Sequence, residues 1–201
     1  MKKIILTAIA VMTLSFANAQ DIRFGLKGGI NLSSFTGDLD YTSSKVSFQA
    51  GGFAEFKISN KFFIQPEIVY SSQGSKYKDF GFNSSLEERI NVNYLNIPVM
   101  AKYYIIDKLN IEVGPQIGFL IGGKRRYDVI IESGQKFSNS YNSKNDFKNV
   151  DFGLNFGAGY DFTEKVFIGV RYNLGLGNVS NYGYGYKAHS SVFSSSVGYK
   201  F

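Results

Sequence analysis

The chain has 201 residues, of which 44% are hydrophobic and 16% aromatic, with 22 glycines and no cysteine, which favours one β-rich domain. The absence of cysteine excludes disulfides, thiolate metal sites and a cysteine nucleophile, and a single histidine argues against an imidazole metal site. The formal charge is +6, from 22 basic and 16 acidic residues, but the basic residues are scattered, which argues against nucleic-acid binding.

The first 19 residues have the organisation of a signal peptide. Lys2 and Lys3 form a charged n-region, an apolar h-region follows, and Ala17-Asn18-Ala19 forms a small-x-small cleavage site. Removal of residues 1–19 leaves residues 20–201 as a single mature domain with a charge of +4. The h-region is shorter than the roughly 20 residues of a spanning helix, so entry of the mature chain into a membrane requires a closed β-barrel.

Eight segments of the mature chain alternate apolar and polar residues with a period of two. This pattern is typical of β-strands that have one apolar and one polar face. The fourth segment changes phase, because Ile90, Val92 and Tyr94 are followed by apolar residues at odd positions. Such a change needs either a β-bulge or a Tyr94 that points inward. The alternating apolar positions run over residues 24–32, 46–58, 62–70, 90–103, 109–121, 150–162, 166–176 and 193–201.

The connections between these segments alternate strictly in length. Short turns are expected at residues 59–60, 107–108 and 163–164. The pattern predicts an all-β fold, an eight-stranded antiparallel up-and-down transmembrane β-barrel with short periplasmic turns and long extracellular loops. Long polar loops are expected at about residues 35–44, 74–88, 124–147 and 178–189.

The compartment depends on which strand face lines the barrel, since a soluble barrel buries its apolar face and a membrane barrel exposes it. The polar face here is rich in Gly, Asn, Ser and Gln and lacks the Lys/Glu pattern of a water-facing sheet. The apolar face carries aromatic residues near the short turns, as expected of an interfacial girdle. The sequence therefore predicts an outer-membrane barrel. The girdle candidates are Phe24, Phe56, Phe62, Tyr103, Phe162 and Phe201.

An eight-stranded barrel has an interior that side chains fill, so charges inside it have to be paired. If the turn at Asp107-Lys108 places Tyr103 opposite Leu109, Lys102 lies diagonal to Glu112 and within reach of it. We predict a luminal ion-pair network, which has either a structural role or a role as a proton or ion path. Its predicted members are Glu55, Glu67, Lys102, Glu112 and Arg171.

Six motifs are spread over the mature chain: Phe24–Asn31, Tyr94–Tyr103, Gly114–Phe119, Asp151–Tyr160, Arg171–Gly175 and Gly198–Phe201. Together they resemble the PorT-like outer-membrane β-barrel family, also labelled porin-family and similar in architecture to small OmpX/OmpA-type barrels. The resemblance implies an outer-membrane barrel that the barrel-assembly machinery recognises partly through a C-terminal aromatic, here Phe201. It implies no catalytic residues and no cofactor. The namesake's role in secretion does not follow from the barrel pattern, because a fold does not determine a function.

The loops contain two further candidate binding features. Lys124, Arg125 and Arg126 open the longest loop, where a basic cluster could bind lipopolysaccharide phosphates through charge-assisted hydrogen bonds. Asp38 and Asp40 are too few for a calcium site. In the last loop Tyr182, Tyr184 and Tyr186 alternate with glycines, either as a binding surface or as a strand that continues above the membrane.

The sequence thus predicts a non-enzymatic barrel with a structural, adhesion or partner-binding role, and leaves a link to transport or secretion open. Two alternatives remain. A lipid-modifying barrel enzyme requires a His-Ser-acid cluster, for which His189 beside Ser190 and Ser191 is the candidate. A secreted soluble ligand-binding barrel requires the apolar face inside, with Phe48, Phe56, Ile111, Phe156 and Ile168 around a cavity.

Overall fold

The computed structural model describes residues 22–38, 43–80, 84–131, 135–181 and 187–201. The predicted signal peptide, Asp40 and the loop tyrosines Tyr182, Tyr184 and Tyr186 lie outside these ranges. No helix within them is long and apolar enough to cross a membrane. The described strands are β1 (Ile22–Gly37), β2 (Ser43–Lys57), β3 (Phe62–Phe80), β4 (Ser84–Ile106), β5 (Leu109–Ile131), β6 (Lys136–Asn142), β7 (Val150–Asp161), β8 (Val166–Gly175) and β9 (Ala188–Lys200).

Eight of these strands close into a ring of antiparallel neighbours. Each strand pairs with the next along the chain, except that β5 continues to β7, and β9 returns to pair with β1. Strand β6 lies outside the ring and pairs with β5. The predicted eight-stranded up-and-down barrel is therefore confirmed, with a ninth strand added above it.

The two rims of the barrel differ in the way predicted, but the strands are longer. The short turns, Ile22 and Phe201 lie at one rim, where the Phe201 amide donates to the Phe24 carbonyl. At the other rim β3 and β4 remain paired as far as Phe80 and Ser85. The prediction of loops at 74–88 and 124–147 is wrong over residues 74–80, 84–88 and 124–131, because polar residues on both strand faces remove the alternation while the backbone pairing continues.

The phase change in β4 results from inward-pointing apolar residues. Tyr94 is 1% exposed, Val92 is fully buried, and their even-numbered neighbours down to Lys102 are also buried. The accompanying bulge lies on β5, where Asn93 pairs with Gly122 but Tyr94 pairs with Leu120. Both features that the sequence offered as alternatives are therefore present, on neighbouring strands.

The predicted register of the β4–β5 turn is wrong. Tyr103 pairs with Ile111, not with Leu109, and Lys102 pairs directly with Glu112. The observed pairing continues to Ile106 and Leu109, directly beside the turn, whereas Tyr103 opposite Leu109 would require residues 104–108 to form the connection. Ile105 has no cross-strand partner, because Tyr104 pairs with Asn110, so β4 has a one-residue bulge next to the turn.

The apolar strand faces point away from the barrel axis. Ile168 is 40% exposed and Phe48 is 56% exposed, whereas Asn155 is 1% exposed. Ile111 and Phe156 are likewise exposed. The soluble alternative, which required these side chains inside, is therefore wrong, because an apolar outer band of this kind is stable against lipid and not against water.

Candidate functional site: the barrel interior and the extracellular sheet

Small residues on the inward face make room for a few large inward side chains. Phe167 of β8 covers Gly198 of β9, where an added Cβ would lie 2.2 Å from the phenyl ring. Glu112 of β5 covers Gly157 of β7 in the same way, at 2.7 Å. The glycines on the inward strand faces thus leave space for the charged and aromatic side chains that fill the barrel.

Four charged residues at mid-height form what we call the central quartet: Lys27, Glu67, Glu112 and Arg171. The Arg171 guanidinium donates to both Glu67 carboxylate oxygens at 2.9 Å and to Glu112 Oε1 at 2.8 Å. Lys27 Nζ lies 2.5 Å from Glu67 Oε2. The Glu67 side chain has no exposed surface and that of Arg171 is 13% exposed. Two positive and two negative charges therefore neutralise one another away from water.

A second neutral group, the periplasmic-side quartet, lies nearer the short turns and comprises Glu55, Lys102, Asp161 and Lys200. Lys102 Nζ lies 2.8 Å from Glu55 Oε2. Lys200 Nζ lies 2.9 Å from Asp161 Oδ2 and 3.5 Å from Glu55 Oε1. The Tyr104 hydroxyl donates to Asp161 at 2.8 Å. Buried charges of opposite sign are again matched, as their desolvation requires.

The Gln65 amide connects the two quartets. Its nitrogen donates to Glu67 Oε1 at 2.7 Å, and its oxygen accepts from Lys102 Nζ at 3.0 Å. Gln65 is 2% exposed. One amide can use its donor and acceptor ends simultaneously, so the eight charges form a single connected network.

The five residues predicted for a luminal network all point inward and take part in these contacts. The contacts themselves differ from the expected ones, since Lys102 binds Glu55 and Gln65 and not its cross-strand neighbour Glu112. The prediction omitted Lys27, Asp161 and Lys200. Lys27 and Lys200 each alternate with outward apolar neighbours along their strands, and this alternation was the sequence signal for their inward orientation.

Amide and hydroxyl side chains occupy the layer above the central quartet. Asn31 donates to the Ser71 hydroxyl at 3.0 Å. Asn173 donates to Asn155 at 3.0 Å, and Asn155 donates to Gln116 at 3.2 Å. Two cavities along this polar interior have volumes of about 20 Å³ each, space for about one water molecule.

The interior is apolar near the extracellular rim. The rings of Phe35 and Phe147 stack with centroids 5.5 Å apart, and Phe147 forms a β-bridge with Ser180. Segments from two different connections therefore fold over the opening and bury apolar side chains inside it. We call this group the apolar plug; it comprises Phe35, Ile90, Val92, Tyr94, Leu120, Phe147, Val179 and Ala188.

Beyond the rim, β3, β4, β5 and β6 form a four-stranded extracellular sheet. The register places Lys76, Arg89 and Arg126 in one cross-strand row, and this row continues the lipid-facing side of the barrel wall. Six cations and two acidic residues occupy that side of the sheet. We call it the outward basic face; it comprises Lys76, Lys78, Glu87, Arg89, Lys124, Arg126, Asp128 and Lys136.

Asp128 is the acceptor at the centre of this face. The Ser138 hydroxyl donates to it at 2.6 Å and Arg126 Nε lies at 3.1 Å. Lys136 Nζ lies at 3.5 Å. The hydrogen bond from Ser138, followed by the interactions with the two cations, lowers the pKa of the Asp128 carboxyl from 3.8 to about 2.

The predicted basic cluster divides between the two faces of this sheet. Lys124 and Arg126 lie on the outward basic face and are exposed. Arg125 points to the inner face, where its guanidinium lies 3.0 Å from Glu88 and 3.7 Å from Asp146. Neighbouring strand residues point to opposite sides, so three consecutive cations cannot act as one patch.

The residues proposed for a catalytic cluster are divided between the two faces of β9. The Ser190 hydroxyl is buried and donates to Asp151 at 3.1 Å, whereas His189 follows the opposite strand face. The Ser191 hydroxyl contacts the Tyr172 hydroxyl at 2.9 Å. Among the described residues no group of three His, Cys, Asp or Glu side chains is arranged to hold a metal ion.

Comparison with known proteins identifies the family. The family model described as outer membrane protein beta-barrel domain matches residues 17–181. The attachment invasion locus protein Ail of Yersinia pestis has a similar structure, with TM-score 0.50 and 9% identity over 90% of this chain and 100% of that chain. Ail bound to the heparin analogue sucrose octasulfate has TM-score 0.49 and 11% identity, with the same coverage.

Neisserial surface protein A has TM-score 0.44 and 16% identity over 90% of this chain and 100% of that chain. No curated protein matches the sequence. At these identities the structural likeness shows the fold alone, whereas the family model spans most of the chain. The chain belongs to the outer membrane protein beta-barrel domain family and is an integral β-barrel of the cell outer membrane.

Proposed function

We propose that this protein is a non-enzymatic surface-binding barrel, in which the filled barrel is a rigid anchor and the extracellular sheet makes the functional contacts. The observation that carries the proposal is the position of the outward basic face. It lies directly above the lipid-facing band, on the same side of the wall. The proposed ligand is the phosphate of outer-leaflet lipopolysaccharide.

The charge balance of the face supports an anionic ligand. Six cations and only two acidic residues lie on this face. Arg126 and Lys136 are 47% and 48% exposed, so their charges are accessible although both lie near Asp128. Cations at this height can donate charge-assisted hydrogen bonds to the phosphates of neighbouring lipid molecules. Each cation near an anionic membrane surface contributes about 1 kcal/mol.

The test is a titration of the protein, held in zwitterionic nanodiscs, with lipopolysaccharide. The double variant Lys124→Gln/Arg126→Gln is expected to bind about 30-fold more weakly, from two lost contacts of about 1 kcal/mol each. The control variant Lys61→Gln/Lys108→Gln removes the same charge at the periplasmic rim. Unchanged affinity of the first variant, or equal affinity for dephosphorylated lipopolysaccharide, would contradict the proposal.

A structural role for the luminal network is part of the same proposal, in preference to an ion path. The two quartets, the amide layer and the apolar plug succeed one another along the interior, and the cavities between them hold about one water each. Purified folded protein is therefore expected to give flat current traces in planar bilayers. Reproducible single-channel openings would favour the ion path.

We also propose that a signal peptide and a C-terminal aromatic residue direct the export and insertion of the barrel. Residues 1–19 are proposed to be removed, so the intact mass of the outer-membrane form should correspond to a chain that begins at Gln20. Phe201 is 70% exposed beside the periplasmic rim, a position accessible to the barrel-assembly machinery. Phe201→Ala should lower the amount of inserted protein at equal synthesis.

The narrower PorT-like affiliation is also part of the proposal and is supported by the six motifs. This affiliation assigns no secretion partner.

A further inference from the structure

Strand β6 presents an open sheet edge above the membrane. It pairs with β5 on one side, and no described strand pairs with its other side. All seven residues, Lys136–Asn142, are exposed. The segment has no proline and only one charged residue, Lys136, so it lacks most of the features that protect edge strands from pairing with another chain.

The β6 sequence is complementary to itself in the antiparallel direction. When Asn139 is placed opposite Asn139 of a second copy, Phe137 faces Tyr141 and Ser138 faces Ser140. Lys136 then faces Asn142, so no like charges meet. Aromatic pairs and hydroxyl pairs directly opposite each other are favourable cross-strand contacts.

Two of the β6 side chains concerned, those of Ser138 and Tyr141, are already held in place. Tyr141 stacks on Tyr127 of β5, with ring centroids 6.1 Å apart, and Ser138 donates to Asp128. Phe137 remains 58% exposed although it lies in a strand. Ser138 and Tyr141 therefore need little further ordering when a second edge pairs with this one, which lowers the cost of association.

The symmetry of this pairing determines where the second copy lies. Two identical antiparallel strands are related by a two-fold axis perpendicular to their sheet. The extracellular sheet continues the barrel wall, so its perpendicular lies in the membrane plane. A rotation of 180° about such an axis reverses the membrane normal. The second barrel must therefore reside in an opposing membrane.

We propose that the β6 edge mediates homotypic adhesion, in which barrels of two facing outer membranes join their extracellular sheets through antiparallel β6–β6 pairing. The occupant of the edge is a second copy of this chain. Each contact is small, but many copies on facing membranes act together and gain avidity. The proposal does not depend on the contact with lipopolysaccharide phosphates.

The test uses two populations of vesicles, labelled with different dyes and carrying the reconstituted protein, and measures clustering by light scattering and energy transfer. Wild-type vesicles should cluster. Vesicles carrying only Asn139→Lys, or only Asn139→Glu, should cluster at least tenfold less, because like charges meet at the two-fold axis. Mixing the two variants should restore clustering. The control Asn60→Lys, at the periplasmic rim, should cluster like wild type.

Three results would overturn the proposal: dispersed wild-type vesicles, undiminished clustering of either Asn139 variant alone, and no recovery on mixing while both variants migrate as folded barrels on unheated gels. A cysteine variant tests the same contact if the charged variants fold poorly.

The chain has no cysteine, so Asn139→Cys introduces the only thiol. Oxidation should then link differently tagged copies from separate vesicles; links formed only within one population would refute the opposed-membrane arrangement.

Discussion

Neutralising Glu67 tests the account of the barrel interior most directly. Glu67→Gln preserves the shape of the side chain but leaves Lys27 and Arg171 with Glu112 as the one acidic member of the central quartet. The Arg171 guanidinium loses its bidentate partner at 2.9 Å, and Lys27 loses a contact of 2.5 Å. Removing one partner of a buried ion pair costs about 3–5 kcal/mol, because the remaining charge stays desolvated and unpaired.

A second variant separates charge balance from packing. In the double variant Lys27→Gln/Glu67→Gln, Arg171 and Glu112 remain as a pair at 2.8 Å, and the quartet is neutral again. Replacing a whole buried pair is often nearly neutral, so the double variant should recover most of the loss and lie within about 1–2 kcal/mol of wild type.

The free energy of unfolding is measured by urea titration in lipid vesicles, with circular dichroism as the signal. Glu87→Gln is the matched control. Glu87 pairs with Arg89 at 2.9 Å, but the two side chains are 24% and 41% exposed, so the change should cost less than about 1 kcal/mol. A loss below about 1 kcal/mol for Glu67→Gln, or a double variant no better than the single one, would refute the assignment of a structural ion network.

Three other changes probe different parts of the molecule. Gly198→Ala should destabilise the barrel by about 1–3 kcal/mol, since its Cβ meets the Phe167 ring at 2.2 Å, and Phe167→Leu should relieve the loss in a denaturation assay. The carboxyl NMR signal of Asp128 should titrate near pH 2, and Ser138→Ala should raise that midpoint toward 3.8. Because the folded pKa is depressed, this stabilisation of the β5–β6 hairpin is present above pH 3.8 and disappears as the pH falls to about 2. Phe147→Ala should cost about 3–5 kcal/mol by emptying the apolar plug, yet bilayer currents should stay flat because the quartets remain.

The sequence by itself determined the barrel, its compartment and the inward orientation of five of the eight luminal charges. Strand residues alternate between faces, so each residue's side depends only on its position along the strand, as in the run from Phe24 to Leu32. The alternation of short and long connections then distinguished a rim with short turns from a rim with long connections. The same local rule identified Glu67 and Arg171 as inward, although it could not pair them.

Only the tertiary structure decided which charges meet. Glu67 and Arg171 are 104 residues apart, and their contact depends on the register of every strand pair around the ring. The one-residue bulge at Ile105 places Lys102 opposite Glu112 in the sheet, which no local pattern reveals. The sequence pattern also did not predict the strand segments above the membrane. Apolar and polar residues alternate only where one strand face contacts lipid and the other faces the lumen. Where water reaches both faces of a sheet, the backbone pairing continues but the side chains no longer alternate between apolar and polar. The open edge of β6 can be recognised only from the positions of the neighbouring strands.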